Sequence, residues 1–505
     1  MFYVCTTDRD FDDWSKQGNR GWDYASVLPY IKKSEGQKDK NILKNGTHHG
    51  SSGNLTVNSF KNDDPLVRII QSAYNELGYK SLLDINSGQF NGFVKIQGTI
   101  RGGERVSSYR AFIEPARSLT NLYVMKNSVA TKITLNGSRA IGVIVKTNNS
   151  KCPTIELKAT KEVIVSAGAL GSPKLLLLSG IGKIEDLEPF GIKQIKKLPV
   201  GESFQDHVYV LHFLKINSNE PEQSIFELLR HSKEYFFNRT GPMSQLGTAT
   251  AQGFINTTDP NAKYPDVQMT SYRLRKSQEF VSEVLENYGF KDEFIEHLVK
   301  VNAESEILMT YITLSNPFSR GSVKLRSSDP LDDPLIISGF LTDSRDIEIM
   351  VRGIGKLKAL VNTKAFQELS PSFIKFPITE CDLLSYPSSD YDKCYLKYFT
   401  TSGLHPSSTC KMGRSSDPSA VVDSQLRVHG YSNLRVVDAS IMPTITTGNT
   451  QCPVYMIGQK AADMIKETWR WKESEKILNL KCSICKFIDK CEVVAHVCEI
   501  FLINF

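Results

Sequence analysis

At 505 residues, with 40% hydrophobic and 23% charged positions, the chain is long enough for two or three structural units with sizeable cores, and it is not a small stapled domain. The net charge of +6 is modest and spread along the sequence, which argues against a nucleic-acid surface. No apolar run approaches the ~18 to 20 residues that a membrane-spanning helix requires.

In chain order, the runs Leu122–Met125 and Gly142–Val145 are separated by loops and turns and read as strands. Glu162–Val165 is a further strand. A small-residue turn follows it, then a helix whose first turn is expected to hold Ser172 and Pro173, both favourable at a helix start. This is one βα unit of a doubly wound sheet. From about residue 208 to 395 the character changes to amphipathic helices, Glu279–Tyr288 and Phe294–Val301, and strands, Leu308–Leu314 and Gly321–Ser327. Proline-rich turns such as Asp329–Ile336 separate these elements without any repeat.

The most informative stretch is His405 to Ile465. An alternating apolar strand, Leu434–Val437, ends on Asp438 and Ala439. Pro443, Gly448 and Asn449 then lead to an amphipathic helix carrying Ala461, Ala462, Met464 and Ile465. A strand that opens through small residues toward a helix start is where open α/β sheets place ligands, because the first helical N–H groups are unpaired. The pattern reads as a cofactor site suited to an anion such as a pyrophosphate.

Several ordered blocks carry a family resemblance: HPSSTCKMG (His405–Gly413), DPSAVVDSQLRVHG (Asp417–Gly430), LRVVDASIMPT, GALGSPKLLLLSGIG (Gly168–Gly182) and LPVGESFQDH (Leu198–His207). Gly102–Val124 and Asp10–Glu35 agree as well. Together they resemble the glucose-methanol-choline (GMC) oxidoreductases, in particular the insect glucose dehydrogenase-like branch, over most of residues 1 to 466. The resemblance implies an α/β fold, α+β overall: a Rossmann-like FAD-binding domain and a substrate domain of antiparallel sheet plus helices. The expected division is 1–207 and 396–466 for the FAD part, 208–395 for the substrate part, and an atypical tail, 467–505.

The family's opening G-x-G-x-x-G turn is not found. Gly180-Ile181-Gly182 and Gly353-Ile354-Gly355 are the nearest candidates, and each lacks the third glycine and the strand-then-helix setting. Met1–Val4 resembles the end of the family's first signature, so the chain is read as truncated at its amino terminus. As it stands it is expected not to retain flavin, since a parallel sheet without a central strand loses its pyrophosphate contacts and exposes edges.

By resemblance, His405 is the catalytic base and Asn449 its partner, donating to the developing alkoxide or orienting the substrate. Histidine suits the role because its ordinary pKa lies near neutrality. Val129 is expected to contact the adenine end through its backbone, Asp438 and Ala439 to lie near the pyrophosphate and ribityl chain, and Thr450 near the isoalloxazine. Read without the resemblance, His405 before Pro406 is a loop residue, Asn449 after Gly448 a turn former, Val129 a strand-end valine and Asp438 an N-cap. His207 is expected to support the domain boundary. Two departures stand out. Ser408 replaces a family glycine and would be strained if that position needs positive φ, and Leu404 stands where an aromatic residue is common.

The implied reaction is oxidation of the CH–OH group of a sugar, sterol or aromatic alcohol, with quinone or oxygen as electron acceptor and no nucleic-acid or membrane partner. The alternative is an inactive relic that binds or supports. An NAD-dependent dehydrogenase is disfavoured because the matched blocks belong to flavin enzymes. Six N-x-S/T sequons, at Asn45, Asn54, Asn136, Asn148, Asn238 and Asn256, are compatible with secretion, which is the favoured location. Cys381 and Cys394 are consistent with a disulfide or with two buried thiols. In the tail, Cys482, Cys485, Cys491 and Cys498 with His496 lack a second C-x-x-C pair. An unstructured or noncoding extension is favoured over zinc, and no metal is proposed.

Overall fold

The structure is a computed structural model that describes residues 2–44, 46–60, 64–148, 150, 152–218, 224–244, 249–277, 281–469 and 496–502. The elements that position the site begin with helix α1 (Asp8–Lys16), strands β1 (Ser128–Asn136), β2 (Arg139–Thr147) and β3 (Thr154–Val165), and helix α2 (Gly168–Leu178). Strands β4 (Val208–Ile216), β5 (Ala249–Ile255), β6 (Val267–Leu274) and β7 (Glu306–Leu314) follow, then helix α3 (Ser344–Val361). Strands β8 (Thr400–Ser402) and β9 (Leu434–Val436), helix α4 (Gln451–Trp469) and strand β10 (His496–Leu502) complete the set.

The first sheet is the Rossmann-like layer. β1 and β2 are antiparallel, and β2 pairs antiparallel with the first half of β3. The apolar end of β3, Val163–Val165, pairs parallel with β9 along one edge and with β10 along the other. Glu162 and Arg435 form a fully buried ion pair across β3 and β9. α2 packs on this layer through Leu175, Leu176 and Leu177, with Met456 and Ile457 of α4 in the same core.

The second sheet has eight strands. Along it run Ser372–Phe373, β4, β7, β6, β5, Gly92–Val94 and Ser81–Leu82, with β8 added beside β4. It therefore takes two short strands from the amino-terminal part of the chain as well as those between 208 and 395. One face is apolar and packs on α3. Gly353 is needed there, because a Cβ would sit 2.8 Å from Ile312 Cγ2. That explains Gly353-Ile354-Gly355 as helix packing and not a phosphate turn. Gly180 likewise follows the end of α2 with a φ of +82°, the left-handed conformation that ends many helices.

Most expected elements occur, with three corrections. Leu122–Met125 is an irregular, largely exposed segment, and the strand starts later, at Ser128, where pairing to Thr147 begins. An apolar alternation without a neighbouring strand does not make a sheet. The helix carrying Ser172 and Pro173 starts at Gly168, so these two residues lie one turn inside it. Pro173 lacks the N–H that would bond the Ala169 carbonyl, and Thr409 Oγ1 donates to that carbonyl instead, at 2.7 Å. The third correction is the tail: 496–502 forms strand β10, which pairs parallel with β3. Cys482, Cys485 and Cys491 lie outside the described residues.

Candidate active site

His405 and Asn449 come together at the cavity between the two layers. Asn449 Nδ2 lies 3.2 Å from His405 Nε2. His405 follows β8, and its backbone N–H donates to Asp206 Oδ1 at 2.8 Å. Asn449 precedes α4 in a loop anchored to α1: Thr447 Oγ1 donates to Asp10 Oδ1 at 2.9 Å, and Trp14 Nε1 to the Thr444 carbonyl at 3.0 Å. Gly448 packs so tightly on Val4 that a Cβ would lie 2.4 Å from Val4 Cγ1. A disulfide between Cys5 and Cys452 ties the same two segments.

Three consecutive residues before β4 hold this arrangement. Gln205 Oε1 accepts from the N–H of Ile445, in the loop of Asn449, at 3.1 Å. Asp206 accepts the His405 N–H and the Ser402 hydroxyl. His207 Nδ1 lies 2.9 Å from His405 Nδ1, with the rings nearly perpendicular at 84°. From its sequence position His207 is expected at a domain boundary, and its residue type and motif do not disclose contact with a ring 198 positions away. The block LPVGESFQDH was the available signal.

Burial governs the electrostatics. It holds the His405 imidazole well below its usual pKa, with His207 adding to the effect, and lowers His207 to about 4. Burial also raises Asp206 to about 6. The cavity measures about 370 Å³. Its floor is the polar face of the second sheet, where Gln268, Thr270 and Tyr272 of β6 lie beside Tyr311 and Thr313 of β7 and near Tyr209 of β4. Tyr311 Oη and Tyr288 Oη are 2.9 Å apart, and burial raises the pKa of Tyr209, Tyr272 and Tyr311, so the phenols are neutral. Among the described residues, no Asp, Glu, Lys or Arg lines this cavity.

The other expected residues are placed as follows. Thr450 lines the cavity beside Asn449. Asp438 is buried and caps a short turn: Oδ1 accepts from Ser440 N at 2.8 Å, and Oδ2 from Gly168 N and Ser172 Oγ at 2.9 and 2.5 Å. It thereby joins the turn before α2 to the end of β9. The Ala439 carbonyl accepts from Ser408 N at 3.2 Å. Val129 lies near the start of β1 opposite Lys146, away from the cavity lining. Ser408 has a φ of +72°, the strained conformation foreseen for a residue in place of glycine, and Leu404 is exposed at the cavity rim. Cys381 and Cys394 are joined as a disulfide.

Family models described as GMC oxidoreductase match residues 1–209 and 317–458. Glucose dehydrogenase [FAD, quinone] of Drosophila pseudoobscura pseudoobscura is 35% identical over 480 residues, 93% of this chain and 72% of that one. The chain belongs to the GMC oxidoreductase family. Ecdysone oxidase of Spodoptera littoralis is 33% identical, covering 94% of this chain and 77% of that one, and human mitochondrial choline dehydrogenase is 34% identical, with 92% and 73%. The fold matches that of an FAD-dependent oxidoreductase from Chaetomium thermophilum with a TM-score of 0.78 at 23% identity, covering 94% of this chain and 85% of that one. The GMC assignment accounts for the two-layer architecture around the His405–Asn449 pair.

Proposed function

We propose that this GMC oxidoreductase oxidises the CH–OH group of a small uncharged alcohol or sugar with FAD as cofactor, His405 acting as base and Asn449 as its partner. The single observation that carries the reading is the convergence of these two side chains, at 3.2 Å, on one cavity that has no ionic side chain among the described residues. Bound FAD supplies the hydride acceptor. The substrate hydroxyl replaces the direct His405–Asn449 hydrogen bond, gives its proton to His405, and its oxygen accepts a hydrogen bond from the Asn449 amide as negative charge develops. The tyrosine, threonine and glutamine floor offers neutral donors and acceptors to further hydroxyl groups.

The residues present suit the cofactor. Among the described residues, Asn449 Oδ1 and Gln451 Oε1 are buried acceptors without a partner at the start of α4, which fits a ligand bearing N–H and O–H donors, as the flavin ring and ribityl chain do. Thr450 would face the isoalloxazine, Asp438 and Ala439 the ribityl and pyrophosphate part, and the Val129 backbone the adenine. A quinone or oxygen would be the final electron acceptor. Neither the fold nor the relatives favour an inactive relic. Secretion is supported by the disulfides Cys5–Cys452 and Cys381–Cys394 and by exposed sequons at Asn54, Asn136, Asn148 and Asn238. The side chain of Asn256, in contrast, is committed to local hydrogen bonds. No helix among the described residues is long and apolar enough to cross a membrane.

The test is His405→Ala assayed for alcohol turnover alongside flavin absorbance, with variant and wild type both supplied with excess FAD because the sequence has no G-x-G-x-x-G turn to retain it unaided. A loss of about 10³-fold in kcat with unchanged flavin content is expected. Undiminished turnover would refute the base assignment.

A further inference from the structure

We propose that His207 is a positioning residue that fixes the tautomer of His405, leaving the bare lone pair on Nε2, the nitrogen that faces Asn449 and the cavity. The proposal rests on the reading of His405 as the base and says which nitrogen does the work and why.

A neutral imidazole has one proton for two nitrogens, so the partner of one nitrogen decides the state of the other. His207 Nε2 lies 3.0 Å from the Ser315 carbonyl oxygen and 2.9 Å from that of Thr446. Carbonyls only accept, so Nε2 carries the proton. The ring is 1% exposed and, with no carboxylate hydrogen-bonded to it among the described residues, stays neutral, which leaves Nδ1 of His207 as an acceptor. The atom facing it at 2.9 Å is His405 Nδ1, which must therefore donate. His405 is neutral too, so its single proton is spent on that bond, and Nε2 is left without one.

The Asn449 amide, as oriented, agrees with that assignment. Its Nδ2 lies 3.2 Å from His405 Nε2 and donates to a bare nitrogen, while its Oδ1 has no protein partner among the described residues. The opposite tautomer would turn an N–H of His405 toward the N–H groups of Asn449 and a lone pair toward the lone pair of His207. Asp206, the nearest carboxylate in sequence to His207, is occupied by the backbone N–H of His405 and the hydroxyl of Ser402, so neither ring is charged by it.

In the reaction, the substrate O–H bond breaks and an N–H bond forms at His405 Nε2. The resulting imidazolium keeps its Nδ1–H on His207, now as a charge-assisted bond to a neutral acceptor. The carbonyls of Ser315 and Thr446 thereby set the orientation of two rings in series.

The deciding experiment is two-bond proton–nitrogen correlation NMR on protein labelled with ¹⁵N-histidine at pH 7.5, with the nine histidines assigned through single variants. His405 is expected to show the Nδ1–H pattern and His207 the Nε2–H pattern. In His207→Leu the His405 pattern is expected to shift toward Nε2–H, with kcat lowered at least about tenfold and KM little changed. His207→Gln, whose amide can donate to the carbonyls and accept from Nδ1, is expected to restore both. A wild-type His405 with Nε2–H overturns the proposal, as does a His207→Leu protein with unchanged His405 pattern and kcat. If His207→Leu does not fold, the wild-type spectrum decides alone. Failure of the base assignment reads differently: His405→Ala would then keep its turnover, whatever the tautomer.

Discussion

Two buried histidine sites in this molecule reach opposite charge states. His49 lies between carboxylates, with Nδ1 2.9 Å from Glu35 Oε1 and Nε2 2.8 Å from Asp84 Oδ2. Burial opposes its charge, but hydrogen bonds to Asp84 and Glu35 outweigh it and raise the pKa to about 9. His405 and His207 are buried as well, yet their rings meet another imidazole, an amide and two carbonyls, and burial discharges them. Low dielectric alone neutralises an imidazole, and a carboxylate in contact recharges it. One site is thus a structural cation and the other is suited to accept a proton.

The largest effect comes from removing the cation. His49→Leu leaves Glu35 and Asp84 buried without their counter-charge and is expected to cost about 3–5 kcal/mol, read from the urea midpoint. Next, Asn449→Asp gives the cavity site the chemistry of the His49 site. A carboxylate beside His405 Nε2 holds the ring protonated at neutral pH, so kcat at pH 7 is expected to fall by about 10²-fold or more, with the activity rise displaced to higher pH. An unchanged profile would break the comparison.

A third expectation concerns stability against pH. The folded pKa of His49, about 9, exceeds the ordinary 6.5, so its contribution is fully present below 6.5 and is lost as pH rises through 9. The slope across this window is roughly 1.4 kcal/mol per pH unit. Asp84→Asn should flatten that alkaline limb in denaturation curves taken from pH 6.5 to 9. Between pH 4 and 6 the raised carboxyl of Asp206 acts against the depressed imidazoles of His207 and His405, so several groups titrate together there and the alkaline limb is the informative one. The smallest effect lies in the turn carrying His405: Ser408→Gly relieves a left-handed residue and should raise stability by about 0.5–1 kcal/mol, seen as a higher thermal midpoint.

Much of the fold is legible in the sequence itself. β7 was readable from the apolar run Leu308–Leu314, and the β3–α2 unit from its strand, small-residue turn and helix, because local composition reports burial and turn geometry. Leu122–Met125 shows the limit of that reasoning, since whether an apolar segment becomes a strand depends on a partner brought from elsewhere. Pro173 shows it again. Its place inside a helix is tolerated because Thr409, distant in sequence, takes up the carbonyl it frees.

Residue order alone determined the family, the two kinds of layer and the nomination of His405 and Asn449, because long ordered blocks record them directly. Tertiary structure decided that His207 touches His405, that Cys5 meets Cys452, and that His49 is charged while His405 is not. Proton positions and pKa values follow from the dielectric and the donors within a few ångströms, and here those neighbours come from distant parts of the chain.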